Sequence, residues 1–599
     1  NEKGKTMFVK NAPKTQPPLL SAFTELPEKA RQQLRDSWAQ TFYDDIFCQI
    51  DEECFSVLYS ETNSRPNVPV NILMGLEILK DGNGWTDEET YNHFCYNLQV
   101  RYALGLNDLN EHYFDRRTIY NFRRRLVNHL RETGENLIER VFEKITQEQM
   151  KKYEVKGNIQ RMDSIQITSN IRQSSRLQLL IEIVQRVERM FKEADKTKYE
   201  ELLSPYMKGD SSHYLYRLKG EKHQSHIEKI GQVMEQLVRE LETNYGEENN
   251  YKLLVRVFHE HFKQVEGGVT AKTGTELNSA TVQSPDDLEA TFRSKNGESH
   301  IGYVSNITET VNPEGLELIT KVQVQPNNRD DAKMLAEALP DLVDRLGLET
   351  IYTDGGYGSG EVDMIAEERG VEQHQTGIRG ASPNPNKIGL SHCQFERDEE
   401  GKLHKMSCPH GVMFEVEEGR QEGNYIARLS YADCPLCAEQ KEKEKREGEK
   451  DKKGSRFLTF YFSMSSLLVV LRRQRMLALQ QTGHNPRSAV EATVREVTCR
   501  FNRAKLRVRG LYRVTMTMIS SAMMCNIRRI TQYLCAQKLQ NETENQAIAT
   551  KMRQNDDNMA KMLSDLTYLL FIHVIWTIHK MMPKPFRYQI WHERSLYRG

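Results

Sequence analysis

Apolar residues along this chain recur at two spacings, and the changes between them divide it into segments. From Glu28 to Ile50 they suit one amphipathic helix, and Ile72, Leu73, Leu76, Ile78 and Leu79 suit a mostly buried one. In Asp115-Arg-Arg-Thr-Ile-Tyr-Asn-Phe-Arg-Arg-Arg-Leu, Ile119, Phe122 and Leu126 share one face, Asp115 can cap the start, and Arg116, Arg117, Arg123 and Arg124 lie largely elsewhere. A helical module to about residue 150 is expected. Alternation around Ile159, Met162, Ile165 and Ile167 then predicts a strand with Asp163 inside it. Two helical stripes follow, Leu177 to Phe191 and Ile227 to Leu241, forming an insertion. Strand signals return near Gly268 and pass through Ile301-Gly-Tyr-Val-Ser-Asn-Ile-Thr and Leu318-Ile-Thr-Lys-Val-Gln-Val-Gln, a hairpin or meander. A helix from about Asp330 to Leu346 leads into Thr350 to Thr353, a short strand ending in Asp354, and the glycines behind it permit a turn no bulky residue accepts. Val362 to Arg369 reads as another helix. Pro383, Pro385 and Gly389 mark a boundary before a cysteine-rich stretch, and from Phe457 the chain reads as helical again. Thr515 to Ile530 is an apolar packing helix, and Leu566 to Ile578 a buried C-terminal one.

Size and charge narrow the classes. At 599 residues the chain exceeds one compact core. A net charge of −1 excludes a uniformly basic nucleic-acid coat, while 28% charged residues leave room for local patches. One is the arginine helix, whose apolar face and cationic remainder suit a DNA groove. The other is Arg500, Arg503, Lys505, Arg507, Arg509 and Arg513, six cations with no acid among them, the strongest nucleic-acid footprint in the chain. A polar segment with Pro13, Pro17 and Pro18 reads as a flexible arm, and the Lys/Glu run Glu439 to Lys453 as a solvated helix or linker. No apolar signal segment opens the chain and its ten cysteines are scattered apart from one cluster, so a reducing cytoplasm without disulfides is expected. The run Leu566 to Ile578 is shorter than the roughly 20 residues of a membrane span, so no membrane association is expected.

Two residue sets carry candidate chemistry. A charge inside a strand is costly without a partner or a metal. Asp163, the strand-terminal Asp354 and Glu491, four residues after Arg487 on a predicted helix, make a carboxylate set of the hard oxygen type that Mg²⁺ prefers for phosphoryl transfer. Glu496 is a rival third member, and the Arg487 spacing favours Glu491. Separately, Cys434-Pro-Leu-Cys437 with Cys408 and Cys393 could hold a structural Zn²⁺ tetrahedrally, with His410 a substitute ligand, against free thiols in a flexible insertion.

The order of Met-Asp163-Ser, Ser284-Pro-Asp286-Asp287-Leu-Glu-Ala with Ile301-Gly-Tyr303, Thr-Asp354-Gly-Gly-Tyr357-Gly, and Arg487-Ser-Ala-Val-Glu491 followed by Leu506-Arg-Val-Arg-Gly510 resembles the bacterial insertion-sequence DDE transposases. The helical module around residues 70 to 130 resembles their N-terminal DNA-binding domain. The resemblance implies a mixed α/β fold with an RNase-H-like catalytic domain, built here from 151–171, 263–378 and 456–535. Around it would lie an N-terminal arm and helix (1–60), a helical DNA-binding domain (61–150), a helical insertion (172–262), the cysteine-rich insertion (379–455) and C-terminal helices (536–599). It implies Asp163, Asp354 and Glu491 as ligands of Mg²⁺ or Mn²⁺, and Arg487 as a phosphate contact. It also implies metal-dependent cleavage and joining of double-stranded DNA at terminal inverted repeats, in a bacterial nucleoid. Two departures stand out: His484 where relatives carry Tyr, and Thr498 where they carry Lys, with Arg495 or Arg500 as stand-ins. Because the reaction handles two ends, a homodimer is expected. The competing classes are a catalytically inactive DNA-binding protein derived from a transposase, and a nuclease without strand joining.

Overall fold

The computed structural model describes residues 8–11, 21–60, 66–108, 111–216, 218, 223–295, 297–313, 315–378, 383–384, 387–398, 402–446, 456–483 and 485–581, without the side chains of 442–446. The proline-bearing arm, Pro385, His484 and the part of the Lys/Glu run from residue 447 onward lie outside the described residues. Two compact units are present, Asn1–Ile530 and Thr531–Gly599.

Strand β1 (Ile159–Ile167) is followed by a separate hairpin, β2 (Phe262–Val265) and β3 (Gly268–Ala271). The central sheet continues with β4 (Thr291–Lys295), β5 (Glu298–Thr310), β6 (Ile319–Pro326), β7 (Thr350–Thr353) and β8 (Glu372–Gln375). Its order is β4-β5-β1-β7-β8, with β6 also paired to β5. β5 runs antiparallel to β1, β4 and β6, whereas β7 is parallel to both β1 and β8. Parallel neighbours require a crossover, and the helices Asp331–Leu346 and Gly360–Arg369 supply it, burying Leu335, Leu339, Val362 and Ala366 with Met162 and Ile351 on one face. Gly302 in β5 has φ 139°, and a Cβ there would stand 2.2 Å from the carbonyl oxygen of Ile167, so only glycine lets β5 cross β1 at this point.

The other face is covered by the start of the helix Leu511–Met581, in which Val514, Met518, Ile519, Ala522, Met523 and Ile527 are all buried. A helix apolar on all sides belongs in a core. Asn526 replaces a strand there: its side chain accepts from the backbone N–H of Ile319 (2.8 Å) and donates to the same residue's carbonyl (2.9 Å). The N-terminal helical module packs on this helix through Gly82, where a Cβ would meet Met524 at 2.3 Å. One continuous core therefore runs from Phe42, Leu76 and Phe122 through Tyr303 and Ile307 to Met524. The insertion has a core of its own, from Leu177 and Leu237 to Phe262 and Ala271, which takes in the β2–β3 hairpin.

Several expectations are corrected. Glu28 to Ile50 is not one helix but two, Glu28–Arg35 and Trp38–Asp45, because Ser37 caps the second and halts the first. Phe457–Ser463 is a strand, not a helix. It joins Gln394–Arg397, Leu403–Ser407, Met413–Glu418 and Asn424–Ser430 in a five-stranded antiparallel sheet, so the cysteine-rich insertion is folded. Leu458, Phe460 and Phe462 are buried while Phe457 and Tyr461 are exposed, an alternation of period two. The glycines after Asp354 serve close approach instead of an unusual turn: a Cβ on Gly355 would meet the carbonyl of Gly377 at 2.6 Å. Finally, the C-terminal helix is not buried. Leu566, Leu569, Phe571, Val574 and Trp576 are exposed, and the helix contains an 18-residue window of mean hydropathy 1.3, none of it buried, long and apolar enough to cross a membrane.

Glu309 joins these layers. Fully buried at the end of β5, it accepts from Arg161 of β1 (2.6 Å), from Arg529 (2.8 Å) and from the Thr493 hydroxyl (2.6 Å), while Arg161 also pairs with Glu317. Glu309→Ala should cost about 3–5 kcal/mol, because it takes from two guanidiniums the buried carboxylate they share and leaves each with only a less buried partner. Denaturant unfolding would measure this, and a loss below about 1 kcal/mol would show that the network carries little.

Candidate active site

Asp163 and Asp354 meet because their strands are neighbours in register. In the parallel β1–β7 pair, Arg161 lies opposite Tyr352. Continuing two residues brings Asp163 level with Asp354, on strands about 4.8 Å apart. Asp354 ends β7, its Oδ1 accepting from the Gly356 N–H at 2.6 Å. Asp163 stays within its strand, with Oδ1 accepting from the Ser164 N–H at 2.9 Å. Burial, with repulsion from Asp354, pushes the Asp163 carboxyl above the usual carboxylate range against the opposing pull of Arg487. Beneath both acids lies Tyr357, fully buried, its hydroxyl donating to Asn306 of β5 at 2.7 Å. Burial and the neighbouring carboxylates hold that phenol neutral, well above its ordinary pKa.

Glu491 arrives on the helix Ser488–Thr498, which lays Val490, Val494 and Val497 inward beside β1 and β5. Arg487, one turn before it, joins the set. One terminal nitrogen lies 2.7 Å from Asp163 and the other 3.4 Å from Glu491, while its buried Nε has no partner among the described residues. What fixes this placement is Arg161, two residues before Asp163, which donates to the carbonyl of Pro486 at 3.2 Å and so ties the strand to the residue preceding Arg487. Glu496 belongs elsewhere: it is bound by Arg529 at 2.8 Å. The strand register thus sets Asp163 beside Asp354 and Arg487 bridges Asp163 to Glu491, but the oxygens of the three acids are not gathered within 4.8 Å of one another, as the sulfurs of Cys408, Cys434 and Cys437 are. Thr498 is buried, its hydroxyl bonded back to Val494, whereas Arg495 and Arg500 are exposed.

The basic segments also converge. Arg116, Arg117 and Arg124 are exposed on the helix Arg117–Thr133, and Arg500, Arg503, Lys505, Arg507 and Arg509 on the loop after the Glu491 helix. A groove of about 940 Å³ is lined by Arg124 and Arg131 from the first and by Arg509 and Arg513 from the second, together with the acids Glu139, Glu289 and Glu337. Arg123 departs from expectation. It turns inward, pairing with Glu77 and Asp87 at 2.7 Å each, and so holds three helices together. The loop is anchored by Asp287, which accepts from Ser169 (2.6 Å), Tyr303 (2.6 Å) and the Gly510 N–H (3.0 Å), linking three of the sequence motifs. Arg509 donates to the Asn170 carbonyl at 2.6 Å, and Lys505 to that of Ile171 at 3.1 Å.

Sequence reasoning passed over Arg161, Glu309 and Arg529. Their signal was a charge inside or at the end of a strand or apolar helix, which needs a partner.

Arg487 neutralises the carboxylates that a cation would use. Arg487→Ala should therefore tighten Mn²⁺ binding to the DNA-free protein several-fold, read from the electron paramagnetic resonance signal of free Mn²⁺. Unchanged affinity would mean that Arg487 and the cation do not compete.

No curated protein and no solved structure matches the chain. Residues 31–125, from the first helix to the first half of the arginine helix, match the family model described as Transposase domain (DUF772).

Proposed function

We propose that the protein is a DNA transposase of the DDE type. It would bind the terminal inverted repeats of its own insertion sequence and cut and join DNA strands in a Mg²⁺- or Mn²⁺-dependent reaction. The observation that carries this reading is the register that sets Asp163 beside Asp354, with Arg487 linking Asp163 to Glu491. The match of residues 31–125 to the transposase-domain model supports it independently. So does the strand order, three antiparallel strands followed by two parallel ones, which is the pattern expected of an RNase-H-like sheet.

In this reading Asp163, Asp354 and Glu491 hold the cations, which when bound would polarise the phosphate and lower the pKa of the attacking water or 3′-hydroxyl. Tyr357 keeps the floor of the site dry and neutral. Arg487 releases its carboxylates and turns to a phosphate oxygen, for which a guanidinium fork is well shaped. Duplex DNA would lie along the groove lined by Arg124, Arg131, Arg509 and Arg513, with backbone contacts setting its position. Working on two ends at once, the protein acts as a dimer.

With DNA bearing its own ends and Mg²⁺, the wild-type chain should nick and join strands. Asp354→Ala should lower the rate by roughly 100-fold or more while DNA binding persists. Light scattering of the same mixtures should show two copies on paired ends. Binding without nicking in the wild type would favour a DNA-binding protein that has lost catalysis, and cleavage without joining a nuclease. Arg503→Ala and Arg507→Ala should each reduce the dependence of log affinity on log salt by about one, a phosphate contact apiece. An unaltered slope would remove that loop from the interface.

A further inference from the structure

The five-stranded sheet of the insertion contains a cluster of thiols that the proposed DNA chemistry does not use. Cys408, Cys434 and Cys437 are buried, and their sulfurs all lie within 4.8 Å of one another. The Cys408–Cys434 separation is 3.7 Å. A disulfide needs about 2.05 Å, so these two are not bonded. Tetrahedral zinc with Zn–S distances of about 2.3 Å places its sulfurs about 3.8 Å apart.

The surrounding backbone is shaped for a metal. Cys408 opens the tight turn Cys408-Pro-His-Gly between the strands Leu403–Ser407 and Met413–Glu418. Gly411 closes this turn at φ 84°, with its N–H bonded to the Cys408 carbonyl at 2.9 Å. The backbone N–H groups of His410 and Val412 are directed at the Cys408 sulfur, an arrangement that stabilises a thiolate. Cys434 and Cys437 flank the start of the helix Pro435–Arg446, whose free N–H groups and dipole favour negative charge. Packing alone does not require three thiols from two separate turns to face one another at this spacing. His410 is exposed and points to no role as a ligand. Cys393 is fully buried beside Cys408, its thiol 3.7 Å from the Gly389 carbonyl.

We infer that Cys408, Cys434 and Cys437 bind one zinc ion, with Cys393 turning from Gly389 to supply the fourth sulfur. Each thiol releases its proton to solvent on binding. The ion clamps the sheet onto the helix Met464–Gln481. Gln474 donates to the Cys393 carbonyl at 2.7 Å, and Leu467 lies in the core of the sheet. On the same helix, one nitrogen of Arg472 donates to both carboxylate oxygens of the buried Asp363 (2.8 and 2.9 Å), on the helix that follows Asp354. The metal thus braces the chain on its way from Asp354 to Glu491.

The test uses the full chain purified under reducing conditions without chelator. Elemental analysis should find one zinc per chain, and Co²⁺ exchanged into the wild type should give the intense visible bands and sulfur-to-cobalt charge transfer of a tetrahedral four-thiolate site. Cys408→Ser and Cys434→Ser should lose the metal, His410→Ala should keep it, and Cys393→Ser should give a three-sulfur cobalt spectrum. Wild-type protein that holds far less than one zinc and shows no cobalt charge transfer overturns the site, with no variant needed. A four-sulfur spectrum in Cys393→Ser overturns the assignment of the fourth ligand.

Discussion

A buried carboxylate, Glu309, holds the architecture together. Two guanidiniums and a hydroxyl meet it from β1, from the helix Ser488–Thr498 and from the long helix beginning at Leu511. A charge removed from water must find such partners or lose its ionisation, and each partner must come from an element held in one position. The network therefore acts as a register pin. Arg161 reaches from Glu309 to the Pro486 carbonyl, and the next residue, Arg487, contacts Asp163.

The same electrostatics shape the site in front of it. Burial penalises the charge on Asp163, and repulsion from Asp354 adds to that penalty. In the free protein Arg487 compensates by lying between Asp163 and Glu491. An arginine can leave such a position where a covalently fixed charge cannot. In the proposed reaction a cation would displace Arg487 from these acids and free its guanidinium to meet a phosphate. The zinc site inferred in the five-stranded sheet would be a separate brace on the connection between the strand-end acid and the helical one.

The sequence was readable wherever a local rule governs. Alternation revealed β1 with Asp163 inside it, helical spacing revealed the buried face Ile119, Phe122 and Leu126, and an acid followed by glycines located Asp354 at the end of β7. It misled where a local pattern had two meanings. Phe457–Ser463 is aromatic enough for either element, and only pairing with Asn424–Ser430 makes it a strand. Arg123 looked like its arginine neighbours, yet Glu77 and Asp87, distant in sequence, turn it inward. The apolar run near the C-terminus looked like core, but hydropathy does not say whether anything covers it.

By itself, then, the sequence determined which residues could do chemistry: the acids, the cysteines and the two basic segments, since donor type and charge are properties of single side chains. Tertiary structure decided which of them meet. The alignment of Asp163 with Asp354 is a matter of strand register, Glu491 faces Arg487 while Glu496 faces Arg529, and the groove lined by Arg124 and Arg513 is built from residues far apart in the chain. Local composition carries no information about such long-range contacts, because they are fixed by the packing of a core that no short segment contains.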